Sequence, residues 1–395
     1  MKGVVIIIKV GIDKIGMYVP IHYIEMTELA VHRGVDPAKW TIGIGQDQMA
    51  VPSLATDVVA MAATAAKDIL SQEDKQVIDQ VIVGSESGVD FSKSIASYVH
   101  HLLGIQPFAK AFEIKHACYG ATAGLQSACD YVRLRPDRKV LVIATDIAKY
   151  GLNTAGEPTQ GAGAIAMLVS ANPSILAIED QSYMHTNHQF DFWRPNYSDY
   201  AMVDGHFSTQ LYQDEFATLI QSLDPALAAS LEAMVFHLPF TKMGKKALNA
   251  LKDRDYAPEV IAKWQEDYHA STLLNRRVGN IYTGSLFLSL LSLLVHSDRI
   301  KAGDKLGLFS YGSGAVSELL IGQVQEGFQQ QVDKATFVGH LDRRTSVSPD
   351  RYEAIFSQEI DLDQEGSSSP LQAQDQGFYL QQVDRHRRIY GYHQA

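Results

Sequence analysis

The chain has 395 residues, 46% of them hydrophobic, and a formal net charge of -11. That length and apolar content bury a large core, as one big domain or two fused ones, and exclude a disordered chain. No basic run is longer than Lys245-Lys246 or Arg343-Arg344, which excludes a general nucleic-acid or anionic-membrane surface and leaves any bound phosphate to a few local cations.

In chain order, Val4 to Ile8 is a short apolar run closed by Lys9, and reads as a first strand rather than a signal peptide. Ser53 to Leu70 carries apolar residues near helical spacing, as do Ala117 to Arg133 and Tyr282 to Val295. Short β-rich runs alternate with these helices at Val81–Val83, Lys139–Thr145, Ala164–Val169, Met234–His237, Leu306–Ser310 and Ser317–Gln323. The alternation predicts a layered α/β architecture, sheets covered by helices on both faces. Ile281 to Val295, the greasiest stretch, contains Ser and Gly and falls short of the roughly 20 residues of a membrane span, so it reads as a buried helix.

The Gly-Ala-rich stretch Gln160 to Val169 echoes Tyr311 to Leu320, each a glycine turn running into a strand. Two similar halves joined near residue 171 explain the echo; chance likeness of strand entries explains it equally. Pro195 to Asn275, richer in polar and aromatic residues, decorates the second half, and Gln364 to Gln376 reads as a surface loop.

Cys118 and Cys129 are the only cysteines, too few for a disulfide framework and suited to a reducing compartment, the cytoplasm. Cys118 stands where a strand, Phe112-Glu-Ile, turns into a helix rich in Ala and Gly. There the helix N-terminus lowers a thiol pKa and makes a nucleophile; the competing reading is a small buried core thiol, which is where Cys129 belongs. Glu86, in Ser85-Glu86-Ser87-Gly88, follows the run Val81–Gly84 and so stands at a strand end, where α/β sheets display functional groups. If desolvated, it takes and returns protons near neutrality; otherwise it is a solvated loop acid. His237 closes another apolar run before Pro239, placed to donate to a carbonyl or to sit satisfied in the core. Lys242, Lys245 and Lys246 follow it, as phosphate partners or as a solvated helix face. Tyr311-Gly-Ser-Gly314 offers free backbone N–H groups for an oxyanion but is not a phosphate loop, and no His or Cys spacing suits a metal.

Together with Gly11–Pro20, Thr41–Gln46, Ala117–Gly120, Asp146–Ala148, Asp191–Pro195, Phe236–Phe240, Val278–Asn280 and Ser310–Gly314, these motifs resemble the hydroxymethylglutaryl-CoA synthase family of thiolase-like condensing enzymes along nearly the whole chain. The resemblance implies a duplicated five-layered α/β/α/β/α fold with halves at 1–170 and 171–395, a helical region inserted at about 196–275, and a homodimer. It implies condensation of acetyl-CoA with acetoacetyl-CoA to 3-hydroxy-3-methylglutaryl-CoA in the mevalonate pathway, with CoA thioesters as substrates and no cofactor or metal. It makes Cys118 the acyl-carrying nucleophile, Glu86 the general base and acid, and His237 the group that orients acetoacetyl-CoA. Tyr150, Ser208, Asn280 and Ser313 fall where the family contacts substrate, Lys242 and Lys246 where it holds CoA, and Asp146 and Asp191 where it supports the site. The chain is shorter than animal members and has His116 where they usually show Asn, both bacterial features. The rival readings are a ketoacyl-ACP synthase, a carrier-protein-dependent β-branching synthase, and a non-catalytic binding protein of the same fold.

Overall fold

The computed structural model describes residues 8–254 and 256–394. The expected strand Val4–Ile8 therefore lies almost wholly outside the described residues, and the first described strand is Val10–Tyr18. In the first half, Ile78–Gly84 runs parallel to both Lys110–Ile114 and Lys139–Ala148, whose other neighbour, Gly161–Ala171, is antiparallel and pairs in turn with Val10–Tyr18. In the second, Leu231–Phe236 runs parallel to Lys305–Gly312, and Val316–Val324 lies antiparallel between Lys305–Gly312 and Leu176–Ile178. Val10–Tyr18 pairs with Leu176–Ile178, so the two sets join edge to edge. The strands of the sequence echo, Gly161–Ala171 and Val316–Val324, hold the same place in each set. On that repeated order we propose the division into halves at 170/171.

Side-chain alternation splits each set between two cores. Ala162, Ala164, Ala166 and Leu168 pack outward against the helices Val58–Lys67 and Ile95–Leu103, while Ile165, Met167 and Val169 face the helices Gly120–Leu134 and Ser285–His296. The second half repeats the division: Ala233 and Val235 share that central layer, whereas Met234 and Phe236 meet Gly205–Ser222, Met243–Lys252 and Pro258–Glu266. Five layers result, helix, sheet, helix, sheet, helix. Ser285–His296 is buried from Ser285 to Leu294, its leucines apolar on every side and its serine hydroxyls hydrogen-bonded.

Two sequence-based boundaries need amending. The helix expected from Ser53 begins at Val58, because the Asp57 side chain accepts the Ala60 N–H and caps it. The region 196–275 is not one helical insertion: its residues 231–236 are the outermost strand of the second set, drawn into the sheet by Ala233, Met234, Val235 and Phe236, each at most 1% exposed. Among the described residues no helix is long and apolar enough to cross a membrane.

Gly84 is where the strand Ile78–Gly84 touches the helix Gly120–Leu134 backbone to backbone; a Cβ there would collide with Gly120 and Ala121. Gly84→Ala is therefore expected to destabilise the fold by roughly 1–3 kcal/mol through overpacking. Thermal melting of the purified variant checks this; an unchanged melting temperature would show that the two elements separate freely.

Candidate active site

Glu86, Cys118 and His237 each follow the carboxyl end of a parallel strand, where such sheets leave their crevices. Ile78–Gly84 ends into Ser85 and Glu86, Lys110–Ile114 into the turn that carries Cys118, and Leu231–Phe236 into His237. The turn before Cys118 is tight: Ala117 has φ 40°, a left-handed conformation costing an alanine about 1–3 kcal/mol. It brings the Cys118 thiol to 3.5 Å from Glu86 Oε1, to which it donates.

Asp146 holds this pair in place. Its Oδ1 accepts from Ser85 Oγ at 3.0 Å, from the Glu86 backbone N–H at 2.9 Å and from Ser87 Oγ at 2.8 Å, while Oδ2 accepts from the Thr283 N–H at 3.2 Å. Thr283 Oγ1 accepts in turn from the Ala121 N–H at 2.7 Å, in the first turn of the helix that follows Cys118. The Arg194 guanidinium donates to the Glu86 carbonyl.

Desolvation, then the Asp146 charge, pushes Glu86 up to about 8. Burial pushes Asp146 upward as well, but its oxygens gather four donors, so of these two acids Asp146 ionises first and Glu86 is the one that exchanges its proton nearest neutrality. The thiol departs from expectation. The helix N-terminus was expected to lower its pKa, yet burial and the charges of Glu86, Asp146 and Asp191 push it well above the ordinary thiol range. A lone thiolate is thus disfavoured, and the sulfur ionises when its proton passes to Glu86.

Tyr150 and Asn280 stand beside the pair. Asn280 Nδ2 donates to the Tyr150 hydroxyl at 3.4 Å, while Asn280 Oδ1 accepts from Tyr282 N–H and Ser285 Oγ. Burial, with the Cys118 and Glu86 charges, pushes the Tyr150 phenol upward and keeps it a neutral donor. The rings of Tyr150, Phe192 and Tyr282 meet edge to face at 5.9 to 6.1 Å.

Asp191 organises a second cluster: Ser208 Oγ and Tyr311 Oη donate to its Oδ2 at 3.0 and 2.8 Å, and Gly314 N–H donates to Oδ1 at 3.0 Å. The glycine turn holding Ser313 therefore does not present all its N–H groups free, since Gly314 spends its own on this fully buried carboxylate. His237 is 1% exposed, its Nδ1 is without a hydrogen-bond partner, and burial lowers its pKa to about 3, so it is a neutral imidazole. Its carbonyl accepts from Tyr212 Oη at 2.6 Å, and the Tyr212 ring packs on Tyr311, which leads back to Asp191. Lys242 and Lys246 belong to another corner: the Lys242 N–H donates to the Ile44 carbonyl, and Lys246 Nζ lies 5.1 Å over the Phe240 ring.

Sequence reasoning missed Ser85, Ser87, Thr283, Arg194, Phe192 and Tyr282. The two serines flank Glu86 and were legible as hydroxyls at a strand end; nothing local marks Thr283, whose role exists only after the halves meet.

Five layers with a thiol–carboxylate pair buried between them define a protein of the thiolase-like class. Family models described as hydroxymethylglutaryl-coenzyme A synthase N terminal and C terminal match residues 7–174 and residues 176–263 and 260–393. The chain is 52% identical over 360 residues to a hydroxymethylglutaryl-CoA synthase of Enterococcus faecalis, covering 90% of this chain and 93% of that one. It superposes on an HMG-CoA synthase complexed with CoA with a TM-score of 0.93, at 45% identity and covering 97% and 100% of the two chains. On MvaS in complex with 3-hydroxy-3-methylglutaryl coenzyme A the TM-score is 0.88, at 36% identity and 98% and 99% coverage. The chain belongs to the hydroxymethylglutaryl-CoA synthase family of enzymes.

Because Glu86 carries negative charge against the thiol, Glu86→Gln should let Cys118 ionise at lower pH. The midpoint of its iodoacetamide alkylation rate against pH is expected above the ordinary thiol value in the native chain and lower in the variant. A midpoint that rises or stays put in Glu86→Gln would deny the coupling.

Proposed function

We propose that the chain condenses acetyl-CoA with acetoacetyl-CoA to give 3-hydroxy-3-methylglutaryl-CoA and CoA, as the step of the mevalonate pathway that makes this thioester. The observation that carries the reading is the Cys118 thiol hydrogen-bonded to a carboxylate whose own pKa is pushed up to about 8. Glu86 accepts the thiol proton as sulfur attacks the acetyl carbonyl, and that proton leaves with the CoA thiolate. With Glu86 ionised again, it removes a methyl proton from the acetyl group on Cys118. The resulting carbanion forms the new C–C bond at the ketone of acetoacetyl-CoA, and Glu86 returns the proton to the alkoxide. Water then cleaves the thioester to Cys118 and restores the thiol.

The neutral His237 imidazole suits the ketone: with burial holding it near 3, it donates a hydrogen bond without bringing a full charge. Tyr150 and Asn280 line the same chemistry as neutral donors, with Ser208 and Ser313 on the Asp191 side. Lys242 and Lys246, at the start of the helix Met243–Lys252, are the cations assigned to CoA phosphate. A homodimer in the cytoplasm completes the proposal, and the two free thiols fit a reducing compartment.

Mixing the chain with acetyl-CoA should add one acetyl mass to Cys118, and Cys118→Ser should abolish it. Glu86→Ala, which lacks the acceptor for the thiol proton, should acetylate slowly and lose condensation by about 10²- to 10⁴-fold. His237→Ala should chiefly raise KM for acetoacetyl-CoA. Condensation intact in Glu86→Ala would remove that residue from its role, and faster turnover with acetoacetyl-ACP than with acetoacetyl-CoA would move the enzyme to the carrier-protein reaction.

A further inference from the structure

Tyr150 lies in the loop 149–160, which joins the strands Lys139–Ala148 and Gly161–Ala171. What fixes this loop is one buried amide at its base. Gln160, 3% exposed, turns its Oε1 back to accept the N–H groups of Tyr150 at 2.7 Å and of Gly151 at 3.1 Å. Its Nε2 donates to the Tyr352 hydroxyl at 2.8 Å, and Tyr352 Oη donates to Glu157 Oε1 at 3.2 Å. The Glu157 carboxylate, 1% exposed, also takes a bidentate pair from Arg33 at 2.8 and 2.9 Å and the Asn153 N–H at 3.0 Å. The loop is thus tied at Tyr150, Gly151 and Asn153 to two side chains of its own far end, Gln160 and Glu157, which Tyr352 and Arg33 brace from outside it.

The other half of the argument is backbone. Gly161 forms a bridge with Gly279, and a Cβ on either glycine would run into the opposing chain at Gln160 or Asn280. Gln160 therefore sets both partners of the Tyr150–Asn280 hydrogen bond: its side chain holds Tyr150, and its peptide presses on the segment that carries Asn280. Packing on Phe192 and Tyr282 holds the Tyr150 ring, but at the base of the loop a cavity of about 140 Å³ is lined by Lys149, Gln160, Tyr352 and Phe356. Beside that cavity the loop backbone is held by the Gln160 hydrogen bonds.

We propose that Gln160, braced by Tyr352 and the Glu157–Arg33 pair, is a positioning residue for the reaction, acting through Tyr150. The inference rests on the assignment of Tyr150 to the substrate site. Steady-state kinetics with both CoA thioesters on the full chain test it, using Gln160→Met, Tyr150→Phe and the double variant. Gln160→Met is expected to lower kcat/KM by about 10- to 100-fold, the scale of a misplaced reacting group, with acetylation of Cys118 and the melting temperature near native. The double variant should be no slower than Tyr150→Phe, because one effect runs through the other. Native kcat/KM in Gln160→Met, or losses that multiply in the double variant, would overturn the proposal. Should Gln160→Met fail to fold, Tyr352→Phe removes only the bracing hydroxyl and is read the same way: a smaller loss, absent when Tyr150 is already Phe, supports the proposal, and one that persists overturns it. Failure of the parent reading looks different, since it removes the acetyl adduct from the native chain.

Discussion

The site depends on one buried carboxylate, Asp146, and on its four donors. Three come from the Ser85–Ser87 turn and the fourth from Thr283 in the second half. Because Thr283 also caps the helix after Cys118 through Ala121 N–H, a single acid fixes the loop that carries the base and, at one remove, the helix that carries the thiol. Leaving such a carboxylate short of partners would cost several kcal/mol of desolvation, so the four bonds and the placement of Glu86 stand or fall together.

The electrostatic consequence runs against a simple activated-thiol picture. Three acids around Cys118 hold its proton on, and a freely ionised thiolate would be the costlier state. What the arrangement supplies instead is a short transfer path to a carboxyl whose own affinity for the proton is raised. In the proposed reaction attack and deprotonation are coupled, and the same raised carboxyl takes a weakly acidic proton later.

Much of this was legible in the sequence, and the limits are physical. Cys118, Glu86 and His237 each sit where an apolar run stops, so local pattern finds them, and the Gly-Ala echo marks strands that hold equivalent places in the two sets. Met234–His237 reads as β-rich inside a block whose eighty-residue composition reads as helical, and only the folded sheet extends that short signal back to the strand Leu231–Phe236. The sign of the Cys118 shift was not legible, since it is set by Asp146 and Asp191, which are distant in sequence. Gln160 gave no signal beyond preceding a glycine: its function lies in bonds to Tyr150, Gly151 and Tyr352, which only the folded loop creates.

The halves contribute unlike groups to one place, and burial sorts them. In the proposed reaction the first half supplies the groups that exchange protons, Cys118 and Glu86; the second supplies Asn280 and His237, the latter stripped of charge by burial that lowers it to about 3. A charged imidazole there would compete with Glu86 for the role of acid and would add a cation to a site already balanced on shared protons. On that proposal, keeping His237 neutral confines proton traffic to the sulfur and one carboxyl, which is the condition for Glu86 to return to the same state after every step.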